Sequence, residues 1–72
     1  MRQYFYVIVH SVVGDDMKLD YICLQECDAI TFGRRLATRN EDYSVYLYKQ
    51  LIARTGKPEF VKSLKPYKTE TI

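Results

Sequence analysis

The sequence predicts a small α+β domain in which one helix is packed on one face of a mainly antiparallel sheet of three or four strands. Two observations predict this class. Strand-like stretches rich in β-branched and aromatic residues flank a single segment whose apolar residues recur at helical spacing. The 72 residues, 47% of them hydrophobic, are enough for one folded domain with a small core. We expect the order β-β-α-β with a possible short fourth strand, in a domain over 1–65 followed by a C-terminal tail over 66–72.

The first third of the chain predicts a β-hairpin. A first strand over 3–13 is rich in tyrosine, valine and isoleucine, and a second strand over 17–24 alternates. Strict alternation places Leu19, Tyr21 and Cys23 on one side of the second strand and Lys18, Asp20, Ile22 and Leu24 on the other. Between the strands, Gly14-Asp15-Asp16 is a turn signal, because glycine accepts positive φ and aspartate can bond its own backbone.

A helix is predicted from about Glu26, and Asn40-Glu41-Asp42 is expected to end it. Its apolar stripe has the spacing i, i+3, i+4, i+7 and i+8 and consists of Ala29, Phe32, Gly33, Leu36 and Ala37. Acidic residues near its start and arginines near its end complement the helix dipole. Glycine lowers helix propensity, and close packing of the helix on the sheet is the natural compensation. We therefore expect a close approach of the helix to the sheet at Gly33.

The rest of the chain predicts a third strand over 43–53, a loop over 54–58 and a short edge strand over 59–65. Pro66 lacks the N–H that a strand ladder needs, and the residues after it offer little to bury. A tail over 66–72 follows from this.

Large apolar or aromatic side chains occupy both faces of the first and third strands, although a single helix covers only one face of a sheet. We assign the mainly aliphatic sets to the helix side, namely Phe5, Val7, Val9 and Val13 in the first strand and Tyr43, Val45, Leu47, Leu51 and Ala53 in the third. The uncovered face then carries Tyr4, Tyr6, His10, Tyr46 and Tyr48. These five residues form the candidate binding surface.

Three uses of that surface are open on sequence alone. A homodimer formed through sheet faces or strand edges would supplement a small core. Recognition of another protein would use tyrosine as a large amphipathic contact residue. Base stacking on a nucleic acid or nucleotide would need basic neighbours, and Arg34, Arg35 and Arg39 on the outer part of the helix are the candidates.

No constellation in the sequence predicts catalysis, a cofactor or a metal site. His10 has no identifiable carboxylate or nucleophile beside it, so we interpret it as a structural or interface residue. The glycines occur singly, which excludes a glycine-rich phosphate loop. Cys23 and Cys27 are too few for a disulfide scaffold or a zinc site, and we expect both to be reduced and partly buried, with a redox pair as the alternative. We therefore expect a protein that is not an enzyme.

The composition leaves the partner open but bears on location. A formal net charge of +2 is too small to imply nucleic acid by itself. No apolar run approaches the length of a secretory core or a membrane span. We expect a cytoplasmic protein that does not bind membranes.

Over residues 3–54 the chain resembles short accessory proteins encoded by bacteriophages. The resemblance comes from an aromatic and aliphatic first strand close to the initiator Met, an acidic hairpin, a helix start with Glu26, Asp28, Ala29 and Ile30, and the run Tyr46-Leu47-Tyr48-Lys49. It implies a non-enzymatic protein in the host cytoplasm that inhibits a host factor, such as a component of a defence system. Inhibition would proceed by occluding a host protein or by sequestering a signalling molecule.

Overall fold

The computed structural model describes residues 3–52 and 57–67. They form β1 (Tyr4–Ser11), β2 (Lys18–Cys23), α1 (Glu26–Arg39), β3 (Ser44–Leu51) and β4 (Glu59–Leu64). The four strands make one sheet in the order β2-β1-β3-β4 with every neighbouring pair antiparallel. The predicted α+β class is confirmed, and the possible fourth strand is present at one edge of the sheet.

The hairpin between β1 and β2 turns at the predicted glycine. Gly14 has a φ of +91°, and the Asp15 N–H donates to the Val12 carbonyl over 2.8 Å. This φ lies in the left-handed region, where a residue with a Cβ is strained. The turn signal in the sequence therefore has the expected structural cause.

The helix lies in a crossover between two strands that are not neighbours. Because β1 is antiparallel to both β2 and β3, the latter two run parallel to each other on either side of it. A connection between parallel strands has to cross one face of the sheet, and α1 occupies that connection. The helix therefore packs on one face of the sheet.

The closest approach of helix and sheet is at Gly33. A Cβ added there would overlap Leu64 Cδ1, and it would lie 3.2 Å from Ile8 Cδ1 and 3.4 Å from Val45 Cγ1. One helical turn away on either side, Ala29 and Ala37 are also buried. The predicted close approach is confirmed, and the core is filled mainly by the larger side chains of the sheet.

The register between the two central strands shows that the predicted faces of β1 are wrong. Ile8 lies opposite Leu47 and His10 lies opposite Val45, and residues directly opposite each other share a face. Ile8, Leu47 and Val45 belong to the core beneath α1. The even positions of β1, including the predicted binding residues Tyr4, Tyr6 and His10, therefore face the helix, while its odd positions face away.

The physical reason is that residues paired directly across two neighbouring strands lie on the same face of the sheet. On sequence alone the faces are chosen by residue type in each strand separately, which places odd positions of both strands on the helix side. The observed register pairs even positions of β1 with odd positions of β3. The ring of Tyr6 packs against the core and His10 has a polar partner, so neither residue prevents this arrangement.

Some expectations lie outside the described residues. These are the end of the third strand at Ala53, the loop over 54–56 and the tail over 68–72. Within the described part of the chain, Pro66 and Tyr67 follow β4, and the Tyr67 N–H donates to Thr38 Oγ1 over 2.9 Å. The beginning of the predicted tail thus contacts α1, which the sequence does not indicate.

Candidate functional site

The candidate site is the face of the sheet that α1 leaves uncovered, which we call the open face. Strand register and alternation assign to it Phe5, Val7, Val9, Ser11, Leu19, Ile22, Ser44, Tyr46, Tyr48, Gln50, Phe60 and Ser63. Two rows cross its centre. Val7 lies between Ile22 and Tyr48, and Val9 lies between Leu19 and Tyr46.

Several large apolar side chains on this face are exposed to solvent. The exposed fraction is 60% for Leu19, 53% for Ile22 and 53% for Phe60. The Phe60 ring lies 5.6 Å from the Tyr48 ring and 6.3 Å from the Tyr46 ring, measured between centroids. Eight of the twelve residues on the open face are apolar or aromatic, and exposed groups of such residues are a feature of interaction sites.

Charged side chains of the four strands all belong to the opposite face. Lys18 lies opposite His10, Lys49 opposite Tyr6 and Lys62 opposite Leu47, three pairings with residues on the helix side. Glu59 lies opposite Lys49 and forms an ion pair with it over 3.7 Å, and Asp20 contacts His10. Among the strand positions that the structure describes, none on the open face carries a charge.

Both edges of the sheet are interrupted by β-bulges. The register of β1 with β2 shifts between Ile8 and Val9, which leaves Asp20 as the extra residue. The register of β3 with β4 shifts between Leu47 and Tyr48, which leaves Val61 as the extra residue. Bulges bend an edge strand and hinder its pairing with another chain, so the open face is better suited to association than the edges.

The bulge in β2 also changes the composition of the open face. Strict alternation predicts that Leu19 shares a side with Tyr21 and Cys23. The extra residue at Asp20 instead places Leu19 beside Ile22 on the open face, while Tyr21 stacks on Phe32 of α1 with 4.3 Å between ring centroids. No residue type in β2 is characteristic of a bulge, so the position of the bulge could not be predicted from the sequence.

The predicted binding residues fall on two different surfaces. Tyr46 and Tyr48 lie on the open face, as expected. Tyr4 and Tyr6 line a groove of about 380 Å³ near the start of α1, together with Gln3, Leu24 and Gln25. The Lys49 ammonium lies 4.9 Å from the centroid of the Tyr4 ring. Phe60, Leu19 and Ile22 complete the open face and were not among the candidates.

His10 has the carboxylate partner that the sequence does not identify. Its Nδ1 lies 2.6 Å from Asp20 Oδ2, the residue is 8% exposed, and its ring stacks on Tyr43 with 4.0 Å between centroids and an interplanar angle of 3°. The neighbouring serines, Ser11 and Ser44, are strand positions of the opposite face. The pair therefore joins β2 to β1 beside the bulge, and neither serine shares a face with the imidazole.

We expect Asp20→Ala to lower the free energy of unfolding by about 1–3 kcal/mol, because it leaves a buried imidazole nitrogen without its partner. Urea denaturation followed by circular dichroism measures the change. Asp16→Ala is the matched control, since Asp16 is exposed in the hairpin turn. Equal effects of the two substitutions would show that the contact with His10 adds nothing to stability.

The three helix arginines do not form one surface. The Arg34 Nε donates to the Lys65 carbonyl over 3.3 Å, and its guanidinium carbon lies 4.1 Å from the centroid of the Tyr67 ring. Arg34 thus holds the segment after β4 against α1. Arg35 and Arg39 are exposed and one helical turn apart. Only these two are available as a basic pair.

Both cysteines are free thiols. Cys23 is half-buried, and its thiol donates to the Gln25 carbonyl over 3.2 Å. Cys27 is exposed on α1, so the expectation of partial burial is right for Cys23 and wrong for Cys27. In residues 3–52 and 57–67, no three His, Cys, Asp or Glu side chains are grouped as metal ligands would be.

Comparison of the chain with protein-family models, with curated protein sequences and with solved structures gives no match. Within the part of the chain that the structure describes, no helix has the length and apolar character needed to span a membrane. The function must therefore be argued from the site itself.

Proposed function

We propose that this protein is a small, non-enzymatic binding protein whose open face docks on another protein. Following the resemblance to bacteriophage accessory proteins, the partner is a host protein, such as a defence-system component. Binding takes place in the host cytoplasm and blocks the surface that the partner needs for its activity. One observation carries the proposal. The open face is apolar, rich in aromatic residues and free of charge at its described strand positions, while charged strand residues lie on the helix side.

The composition of the face favours a protein as partner. Tyrosine and phenylalanine are enriched in protein interfaces, and charged residues are depleted from interface cores. Tyr46, Tyr48 and Phe60 form such an aromatic group at one side of the face.

The alternative is a nucleic-acid or nucleotide-binding module that combines tyrosines with helix arginines. The geometry separates these groups. Tyr46 and Tyr48 are on the open face, and α1 with Arg35 and Arg39 is on the other side of the sheet. Tyr4 and Tyr6 are on the helix side but lie near the start of α1. Arg35 and Arg39 are in the second half of this helix, whose 14 residues span about 21 Å. This arrangement does not favour a stacking platform bordered by a basic groove.

The test is affinity capture from lysate of the host cell with tagged wild-type protein and two sets of variants. The open-face variant is the double substitution Ile22→Lys and Phe60→Lys, which adds charge at two exposed positions and leaves the core intact. The helix variant is Arg35→Glu with Arg39→Glu. We expect the open-face variant to lose the captured protein and the helix variant to retain it.

Salt and nuclease treatment discriminate the two functions. Neutralisation of several phosphates makes affinity fall steeply with salt, whereas an uncharged protein interface is much less sensitive. Val13→Lys makes one such substitution in the hairpin turn, off the open face, and serves as the control for an added lysine. Capture that survives the open-face substitutions, or that disappears after nuclease treatment or with Arg35→Glu and Arg39→Glu, would overturn the proposal.

A further inference from the structure

We infer that a second copy of the chain covers the open face when no other partner is bound, giving a two-fold symmetric homodimer in which two sheets pack face to face. The inference rests on the proposed function in taking the open face as the binding surface. It adds a form of regulation, because self-association and partner binding then use the same residues and exclude each other.

The absence of charge from the described strand positions of the open face suits a second copy in particular. In a two-fold dimer each surface meets its own duplicate, so any charge near the centre would face a like charge or be buried unpaired. On β2, β1 and β3, the central rows through Val7 and Val9 carry apolar and tyrosine side chains. Homodimer interfaces are more apolar than other protein interfaces, which agrees with this composition.

The edges of the sheet are unsuited to a dimer formed by strand addition. Each edge strand has a bulge, at Asp20 in β2 and at Val61 in β4. Lys18 and Asp20 lie on one edge, and Glu59 and Lys62 lie on the other. Charges and bulges at an edge oppose pairing with a second chain, so face-to-face packing is the favoured geometry.

The size of the open face limits the dimer to a weak and reversible one. Four strands at a spacing of about 4.8 Å and a length of six to eight residues at about 3.3 Å each give a footprint of roughly 400–500 Å². Two copies would therefore bury roughly 800–1,000 Å², near the lower limit of about 1,000 Å² for a specific interface. A reversible dimer that a tighter-binding partner can displace is the expected consequence.

A small core gives the chain a further reason to associate. Among the residues that the structure describes, the buried cluster between α1 and the sheet consists of six, and two of them are the alanines of α1. Val7 is 9% exposed, but it lies on the open face and is not part of this cluster. Packing a second sheet against Val7 and its neighbours would provide a second apolar layer that one helix cannot supply.

Sedimentation equilibrium of the purified chain tests the inference across low to high micromolar concentration. We expect the wild type to approach twice the 8.5 kDa mass of the chain, and the double variant Ile22→Lys and Phe60→Lys to remain at 8.5 kDa. Val13→Lys should dimerise as the wild type does, because Val13 is 99% exposed in the turn. Circular dichroism establishes that each variant is folded, and Leu19→Lys replaces the double variant if that variant is unfolded.

The melting temperature of the wild type gives a second measurement that needs no variant. Dimerisation makes it rise with protein concentration, and a monomer shows no such dependence. A wild type that stays monomeric, or a folded open-face variant that dimerises equally well, overturns the inference. A monomeric wild type would leave the proposed function intact. If the open-face substitutions leave partner capture unchanged, the proposed function is overturned, and the measured mass of the wild type is not affected by that result.

Discussion

Gly33→Leu is expected to abolish folding. A Cβ at this position already overlaps Leu64 Cδ1 and lies close to Ile8 and Val45, so a branched side chain would separate α1 from three strands at once. Overpacking typically costs about 1–3 kcal/mol and more where the backbone must move, while a core in a chain this small supplies only about 3–5 kcal/mol. Loss of the cooperative thermal transition in circular dichroism is the expected result.

Arg35→Leu is the matched control for this substitution. It places the same side chain on the same helix, two residues further along and at an exposed position. Gly33→Ala should fall between the two, because the Leu64 side chain could turn away from a single methyl group. If Gly33→Leu melts at the wild-type temperature, the helix does not lie against the sheet as described.

Leu47→Ala is the second substitution expected to unfold the protein. Leu47 and Ile8 are the largest wholly buried side chains, and Leu47 lies opposite Ile8 on the helix side. Truncation of a buried leucine costs about 2–5 kcal/mol, which is comparable with the whole stability expected for a single small core. We expect a largely unfolded chain by circular dichroism and by hydrogen exchange.

Leu19→Ala makes the same chemical change on the other face. Leu19 is exposed, so at concentrations where the chain is monomeric the substitution should leave the free energy of unfolding nearly unchanged. The leucine pair therefore tests the assignment of faces. A stable Leu47→Ala variant and an unfolded Leu19→Ala variant would mean that the two faces of the sheet are exchanged.

The elements of this fold could be predicted from the sequence because their signals are local. The spacing of Ala29, Gly33 and Ala37 indicates both the helix and the side of it that is buried. The hairpin follows from Gly14 and the alternation around it. Even the close approach at Gly33 could be anticipated, because a glycine in an apolar stripe needs a compensating contact.

The candidate site was predictable only in part because its composition depends on register. Tyr46 and Tyr48 are on the open face, but Tyr6 and His10 are on the helix side, since Ile8 lies opposite Leu47. A shift of one residue in the register exchanges the faces of a whole strand. A strand and a helix lie between β1 and β3 in the sequence, so no short turn fixes the register of this pair. The function implied by the resemblance to phage accessory proteins stays a proposal.

The two interrupted edges of the sheet also limit how many molecules one chain can join. On the proposed function, with bulges at Asp20 and Val61 in the edge strands, the described part of the chain has one binding surface and binds one molecule at a time. A molecule that binds one partner at a time cannot assemble into filaments or networks at any concentration. On the proposed function, each monomer blocks a single target molecule, whereas a copy paired in the inferred homodimer blocks none until the dimer dissociates. We therefore expect inhibition to follow the amount of free monomer.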